Sequence, residues 1–182
     1  MILASSSPRR KELLQRLDYP FDIILPDVDE SILELGSIPE KYCITLAEMK
    51  TKNISQKHPQ ALVIGADTIV VLGDQILNKP DDRVQAENML SMLSGKTHQV
   101  YTGVCLKWME NNIHHTFSEI TMVTFRTLDK QDIMHYIVSC PPYDKAGSYG
   151  IQDWSAVFVK NIQGCYDNVV GFPLARFYQE LQ

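Results

Sequence analysis

The stretch Ala61-Leu62-Val63-Ile64-Gly65-Ala66-Asp67-Thr68-Ile69-Val70-Val71 is an almost continuous apolar run broken by one carboxylate. Without period-two alternation, such a run reads as a central strand covered on both faces, which requires helices on each side of the sheet. The flanking sequence supplies them. Upstream, Ile2–Ala4 is a short apolar strand that breaks into Ser5-Ser6-Ser7-Pro8, and residues 9–17 read as a helix with Leu13, Leu14 and Leu17 as its buried stripe. Ser7 is a natural N-cap, and Pro8 suits the first helical position, where a missing N–H costs nothing. Residues 21–25 follow as a second strand, and residues 39–53 as a second helix with Ile44, Leu46 and Ala47 inward.

Downstream, Arg83–Leu93 forms a helical pattern with Ala86, Met89, Leu90 and Leu93 on one face. Residues 98–106 and Ile113–Phe125 alternate as antiparallel strands about the turn Glu110-Asn111-Asn112. Residues 129–138 read as a helix stopped by Pro141-Pro142, residues 156–162 as a strand and residues 173–181 as a closing helix. No repeat, linker or low-complexity segment interrupts this alternation. The expected architecture is α/β: a mixed twisted sheet with flanking helices, forming two lobes around a central cleft within a single domain of residues 1–182.

Composition narrows the function classes. With 182 residues and 45% hydrophobic content, the chain can bury roughly 70% of its unfolded surface without help from a metal or disulfide. Its 22 acidic against 17 basic residues give a charge of −5, and no Lys/Arg stripe is sustained, which argues against a nucleic-acid polymer as partner. Any anionic ligand is then small and held in a local pocket. Cys43, Cys105, Cys140 and Cys165 are far apart and form no CxxC pair, the pattern of free thiols in a reducing cytosol. No apolar run approaches the ~20 residues of a spanning helix and no basic segment precedes the first apolar residues, so no membrane association is expected and the expected location is cytoplasmic.

Two local features point to chemistry. Arg9, Arg10 and Lys11 crowd the first turn of a helix whose N-terminal end already carries about half a positive charge. The serines before them add donors, so this segment is either a phosphate cradle or a basic turn facing water. Asp67 is the second feature: a carboxylate in an apolar strand is costly to bury alone, so it should sit at the strand's cleft end facing a cation or water. It could hold Mg²⁺, act as a base, or both. Glu30, in the acidic loop Asp27-Val28-Asp29-Glu30, would add a second carboxylate or simply be solvated.

Lys50, Lys79, Lys96 and Lys145 are each ordinary surface charges taken singly, yet several stand beside Gly or Pro at element ends, and together they would neutralise a triphosphate. Ser94-Gly95-Lys96-Thr97 looks like the end of a P-loop, but the first glycine of that motif would fall on Leu90, inside a helix. The loop Gly147-Ser148-Tyr149-Gly150-Ile151-Gln152 is either a plain turn or a base-reading loop in which Gln152 offers a donor and an acceptor to a pyrimidine imide. The five histidines show no metal-ligand spacing, and no Ser-His-Asp signature is present.

Taken in order, Ala4-Ser5-Ser6-Ser7-Pro8-Arg9-Arg10, Gly65-Ala66-Asp67-Thr68, Lys79-Pro80, Leu93-Ser94-Gly95-Lys96-Thr97-His98 with Tyr101-Thr102-Gly103, the segment from Asp144 to Gln152, and Val170-Gly171-Phe172-Pro173-Leu174 resemble the Maf family of nucleoside triphosphate pyrophosphatases along essentially the whole chain. The resemblance implies a Maf/ITPase-like fold and a hydrolase of acid anhydrides that cleaves a nucleoside triphosphate to the monophosphate and pyrophosphate with Mg²⁺ or Mn²⁺. It implies Asp67 as proton acceptor, Asp67 and Glu30 as metal ligands, and Ser7, Arg10, Lys50, Lys79, Lys96 and Lys145 as substrate-binding residues. Arg9, Thr68 and Gln152 match the branch acting on dTTP and UTP, with modified pyrimidine nucleotides as further candidates. One departure is Thr51, where the family's Leu-Ala-x-x-Lys-Ala segment ends in Ala. The alternative is a non-catalytic nucleotide-binding regulator of septum formation. Homodimerisation is left open.

Overall fold

The computed structural model describes residues 1–30 and 38–182. Its strands are β1 (Ile2–Ala4), β2 (Asp22–Ile23), β3 (Val63–Leu72), β4 (Gln75–Leu77), β5 (Thr97–Trp108), β6 (Ile113–Phe125) and β7 (Val159–Gln163). Its helices are α1 (Pro8–Gln15), α2 (Pro39–Ser55), α3 (Arg83–Leu93), α4 (Lys130–Ser139), α5 (Tyr166–Val170) and α6 (Leu174–Glu180). The seven strands form one open sheet in the order β2-β1-β3-β5-β6-β7, with β4 on β3. β1 runs parallel to β2 and β3, whereas β3–β4 and β6–β7 are antiparallel, so the sheet is mixed as expected.

β3 is buried along nearly its whole length, which is what the unalternating apolar run requires. Beside it, β1 places Ala4 opposite Gly65, so the chain leaves β1 through Ser5-Ser6-Ser7 next to the carboxyl-terminal half of β3. Ser7 caps α1 by accepting from the Arg10 backbone N–H at 3.4 Å, and Pro8 occupies the first turn. These few residues therefore do double duty, ending a strand and starting a helix within one turn of chain.

The chain divides into two compact units. One comprises residues 1–68, 102–119 and 171–182, the other residues 69–101 and 120–170. In the first, Ile2, Ala4, Ile54 and Val63 form a small apolar cluster. Two glycines let α2 lie directly on the sheet: a Cβ on Gly65 would stand 2.6 Å from the Ala47 carbonyl oxygen, and one on Gly103 would stand 2.5 Å from the backbone of Cys43. In the second unit, Leu90, Phe125, Ile133, Tyr136, Tyr149 and Phe158 pack against one another.

Several boundaries differ from the sequence reading. Residues 156–158 belong to a short 3₁₀ helix, Trp154–Phe158, rather than to the last strand. The Asp153 carboxylate accepts from the Ser155 backbone N–H at 3.0 Å, and this local cap overrides the β propensity of Val157-Phe158-Val159. The α1 helix ends at Gln15, and Asp18 takes a positive φ of 55° in the turn that follows. β4 was not expected, although Gly73-Asp74 is the two-residue hairpin signal, and Gly73 adopts the required positive φ of 61°.

Candidate functional site

The first unit assembles a charged cluster on β3. Side chains on a strand alternate, so Gly65 and Asp67 share a face, while Ala47, Lys50 and Thr51 share a face of α2. Because Gly65 presents no side chain, α2 settles against it, and the same contact lays Lys50 over Asp67. Lys50 Nζ donates to Asp67 Oδ1 at 2.5 Å and pairs with Glu30 Oε1 at 2.9 Å. The Lys50 and Asp67 side chains are only 9% and 11% exposed, so their attraction is weakly screened, whereas Glu30 is 43% exposed and open to water.

Asp67 thus lies in the middle of β3 and not at a strand end, which corrects the position expected from the sequence; the partner is the expected cation. Burial becomes tolerable because a lysine from α2 reaches it. Thr51, the departure from the family segment, fits without a stray polar group: its hydroxyl donates to the Ala47 carbonyl at 2.7 Å.

Arg10 occupies the other side of this cluster. Its guanidinium donates from Nε to the Gly171 carbonyl at 2.9 Å, from Nη2 to Thr68 Oγ1 at 3.1 Å and from Nη1 to Ser5 Oγ at 3.4 Å. Burial pushes the Arg10 pKa below its ordinary value; Asp67 and Glu30 oppose that shift, and neighbouring Arg9 adds to it. Arg10 therefore does not simply face water, because it turns back onto Thr68 of β3. Thr68 is held from three sides, by Arg10, by a 2.9 Å hydrogen bond shared with the Thr102 hydroxyl, and by donation to the Gly171 carbonyl at 3.3 Å.

Ser5, Thr102 and Gly171 were not singled out from sequence. All three stand in the quoted motifs, but only the fold shows that they meet at Arg10 and Thr68. Gly171 has a positive φ of 125°, and a Cβ there would come within 3.5 Å of the Thr68 hydroxyl.

Lys79, Lys96, Lys145 and Gln152 belong to the second unit. Lys79 is exposed just before the buried Pro80, and Lys96 is exposed just after Gly95, whose φ is 69°. In this segment a helix precedes the glycine and β5 follows it, the reverse of a P-loop's order. Lys145 is tied to its own loop, with Asp144 at 2.7 Å and Asp153 at 3.7 Å. Gln152 is exposed in a turn braced by Ser155, whose hydroxyl donates to the Gly150 carbonyl at 2.8 Å and is backed by Asp153.

Cysteine chemistry has no support: all four thiols are free, and burial pushes Cys43 up to about 12 and Cys105 up to about 11. Among the described residues, no group of three or more His, Cys, Asp and Glu is placed to hold a metal. Asp67 and Glu30 nevertheless aim two hard oxygens at one cation-sized position, now taken by the Lys50 ammonium. That donor set fits Mg²⁺ or Mn²⁺ bound by one or two carboxylates and completed by substrate phosphates, not an all-protein cage. Among the described residues, no helix is long and apolar enough to cross a membrane.

The family model described as Maf-like protein matches residues 1–182. A protein of Ruminiclostridium cellulolyticum named dTTP/UTP pyrophosphatase is 47% identical over 182 residues, covering 100% of this chain and 94% of its own. Proteins of the same name from Bacillus cytotoxicus and Carboxydothermus hydrogenoformans are 48% and 45% identical, covering 100% and 99% of this chain and 93% and 96% of theirs. With a family match over residues 1–182 and relatives this similar over their full alignment, the protein belongs to the Maf-like family.

Proposed function

We propose that this protein is a nucleoside triphosphate pyrophosphatase that hydrolyses dTTP and UTP to the monophosphate and pyrophosphate. The observation that carries this reading is the buried Asp67, held by Lys50 and followed in the chain by the Thr68 that Arg10 binds, in a chain whose relatives bear that name. Asp67 accepts a proton from, or orients, a water that attacks the α-phosphorus. The bond from that phosphorus to the bridging oxygen breaks, and pyrophosphate leaves. Lys50, Arg9 and Arg10, with Lys79, Lys96 and Lys145, offset the phosphate charge, and Ser7 adds a donor. Mg²⁺ or Mn²⁺ held by Asp67 and Glu30 would neutralise charge on the phosphates. Thr68, Arg9 and Gln152 select the pyrimidine.

The test is product analysis. Wild-type protein is incubated with Mg²⁺ and a panel of nucleotides, and monophosphate, diphosphate and pyrophosphate are separated. Release of pyrophosphate from dTTP and UTP ahead of purine nucleotides is the expected result. Orthophosphate as the first product would identify a general phosphatase, and binding without turnover would favour a nucleotide-binding regulator. Gln152→Glu should lower kcat/KM for dTTP and UTP about tenfold or more, since a carboxylate cannot donate to the imide carbonyl; an unchanged preference would show that the base is read elsewhere.

A further inference from the structure

We infer that Lys50 is the resting counter-ion of the Asp67–Glu30 pair and competes with the divalent cation for those oxygens until a nucleotide's phosphates draw it away. This rests on the proposed reading of the site as a metal-assisted pyrophosphatase. The Lys50 ammonium stands 2.5 Å from Asp67 Oδ1 and 2.9 Å from Glu30 Oε1, within the space that a shared metal ion would need. Its stem rises from the face of α2 that Gly65 admits onto β3, so packing delivers the charge to that point.

The Arg10 guanidinium also feels both carboxylates, but its donors are committed to Gly171, Thr68 and Ser5. Lys50 therefore already compensates both carboxylates before any ligand arrives. Adding a divalent ion to the cluster would leave positive charge uncompensated where water screens poorly. A triphosphate removes the obstacle by supplying negative charge and acceptors for an ammonium. Lysine suits the exchange because its head is a point charge on a flexible stem, while the Arg10 fork is tied down. Metal and nucleotide consequently bind with positive coupling, each raising the other's affinity by the same factor.

The test is Mn²⁺ binding at pH 8, read from the electron paramagnetic resonance signal of free Mn²⁺. Wild type, Lys50→Met, Lys50→Gln and Lys50→Arg are compared with and without α,β-imido-dTTP, after a urea melt has shown each to be folded. Without nucleotide, Lys50→Met and Lys50→Gln should bind Mn²⁺ about tenfold tighter than wild type or better, because one unit of charge is removed within contact distance. Lys50→Arg should bind no tighter. The nucleotide analogue should raise Mn²⁺ affinity by a larger factor in wild type than in Lys50→Met. Neutral variants that bind Mn²⁺ no tighter than wild type would overturn the competition while leaving the pyrophosphatase reading intact. Absence of Mn²⁺ binding in every variant, with the analogue present, would overturn the metal reading itself and the inference with it.

Discussion

At the scale of single residues, the candidate site turns on how buried charge is compensated. Asp67 is held by Lys50, and Lys50 in turn reaches Glu30, so neutralising one carboxylate does not strip the ammonium of all partners. Asp67→Asn should accordingly keep a cooperative urea melt while lowering kcat for dTTP by about 10²-fold or more, the usual contribution of a proton-accepting group. Retention of full turnover would remove Asp67 from its role. Arg10 behaves differently, since its three bonded nitrogens point at three separate oxygens. A lysine cannot reproduce that planar fork, and the Gly171 carbonyl would lose its charged donor. Arg10→Lys should destabilise the fold by about 1–3 kcal/mol, measured by urea denaturation. No change would mean that these bonds add nothing over hydration.

At the scale of elements, the site depends on how closely α2 approaches β3. Gly65 provides that approach: a methyl group there would meet Thr51 Oγ1 at 2.1 Å and the Ala47 carbonyl oxygen at 2.6 Å. Gly65→Ala should therefore push the helix off the strand, cost about 1–3 kcal/mol and loosen the Lys50–Asp67 pair. The Thr51 hydroxyl is the nearer obstacle, so Gly65→Ala with Thr51→Ala should recover part of the loss in a double-mutant cycle, and the remaining clash with Ala47 should keep the rescue incomplete. Additive effects would show that the two residues do not share the contact. The helix and the strand were each legible in sequence, because the apolar run and the 3.6-residue stripe are each explicit. The contact itself was not, because a glycine inside a strand has several readings until the facing element is known.

At the scale of the whole molecule, stability carries a pH dependence set in the second unit. His98 is only 1% exposed, its Nε2 shares a 2.8 Å hydrogen bond with the Tyr149 hydroxyl, and among the described residues its Nδ1 has no hydrogen-bond partner. Burial lowers its pKa from 6.5 to about 4. Between those values the unfolded chain binds the extra proton, so this group costs nothing above pH 6.5, and stability is lost progressively as pH falls toward 4. The loss should reach about 3 kcal/mol. Comparing urea denaturation at pH 7 and pH 4.5 for wild type and His98→Gln should show the variant losing less; equal losses would place the acid sensitivity elsewhere. Taken by itself, the sequence determined the α/β alternation, the N-cap at Ser7, the central strand, and Asp67, Arg9 and Arg10 as residues needing an explanation, because periodicity, capping and misplaced charge are local properties. Only the tertiary structure decided that Lys50 reaches both Asp67 and Glu30 and that Arg10 binds Gly171 and Thr68. Those partners lie 17 to 161 positions apart in the chain, and only the packing of helix on sheet brings them within bonding distance.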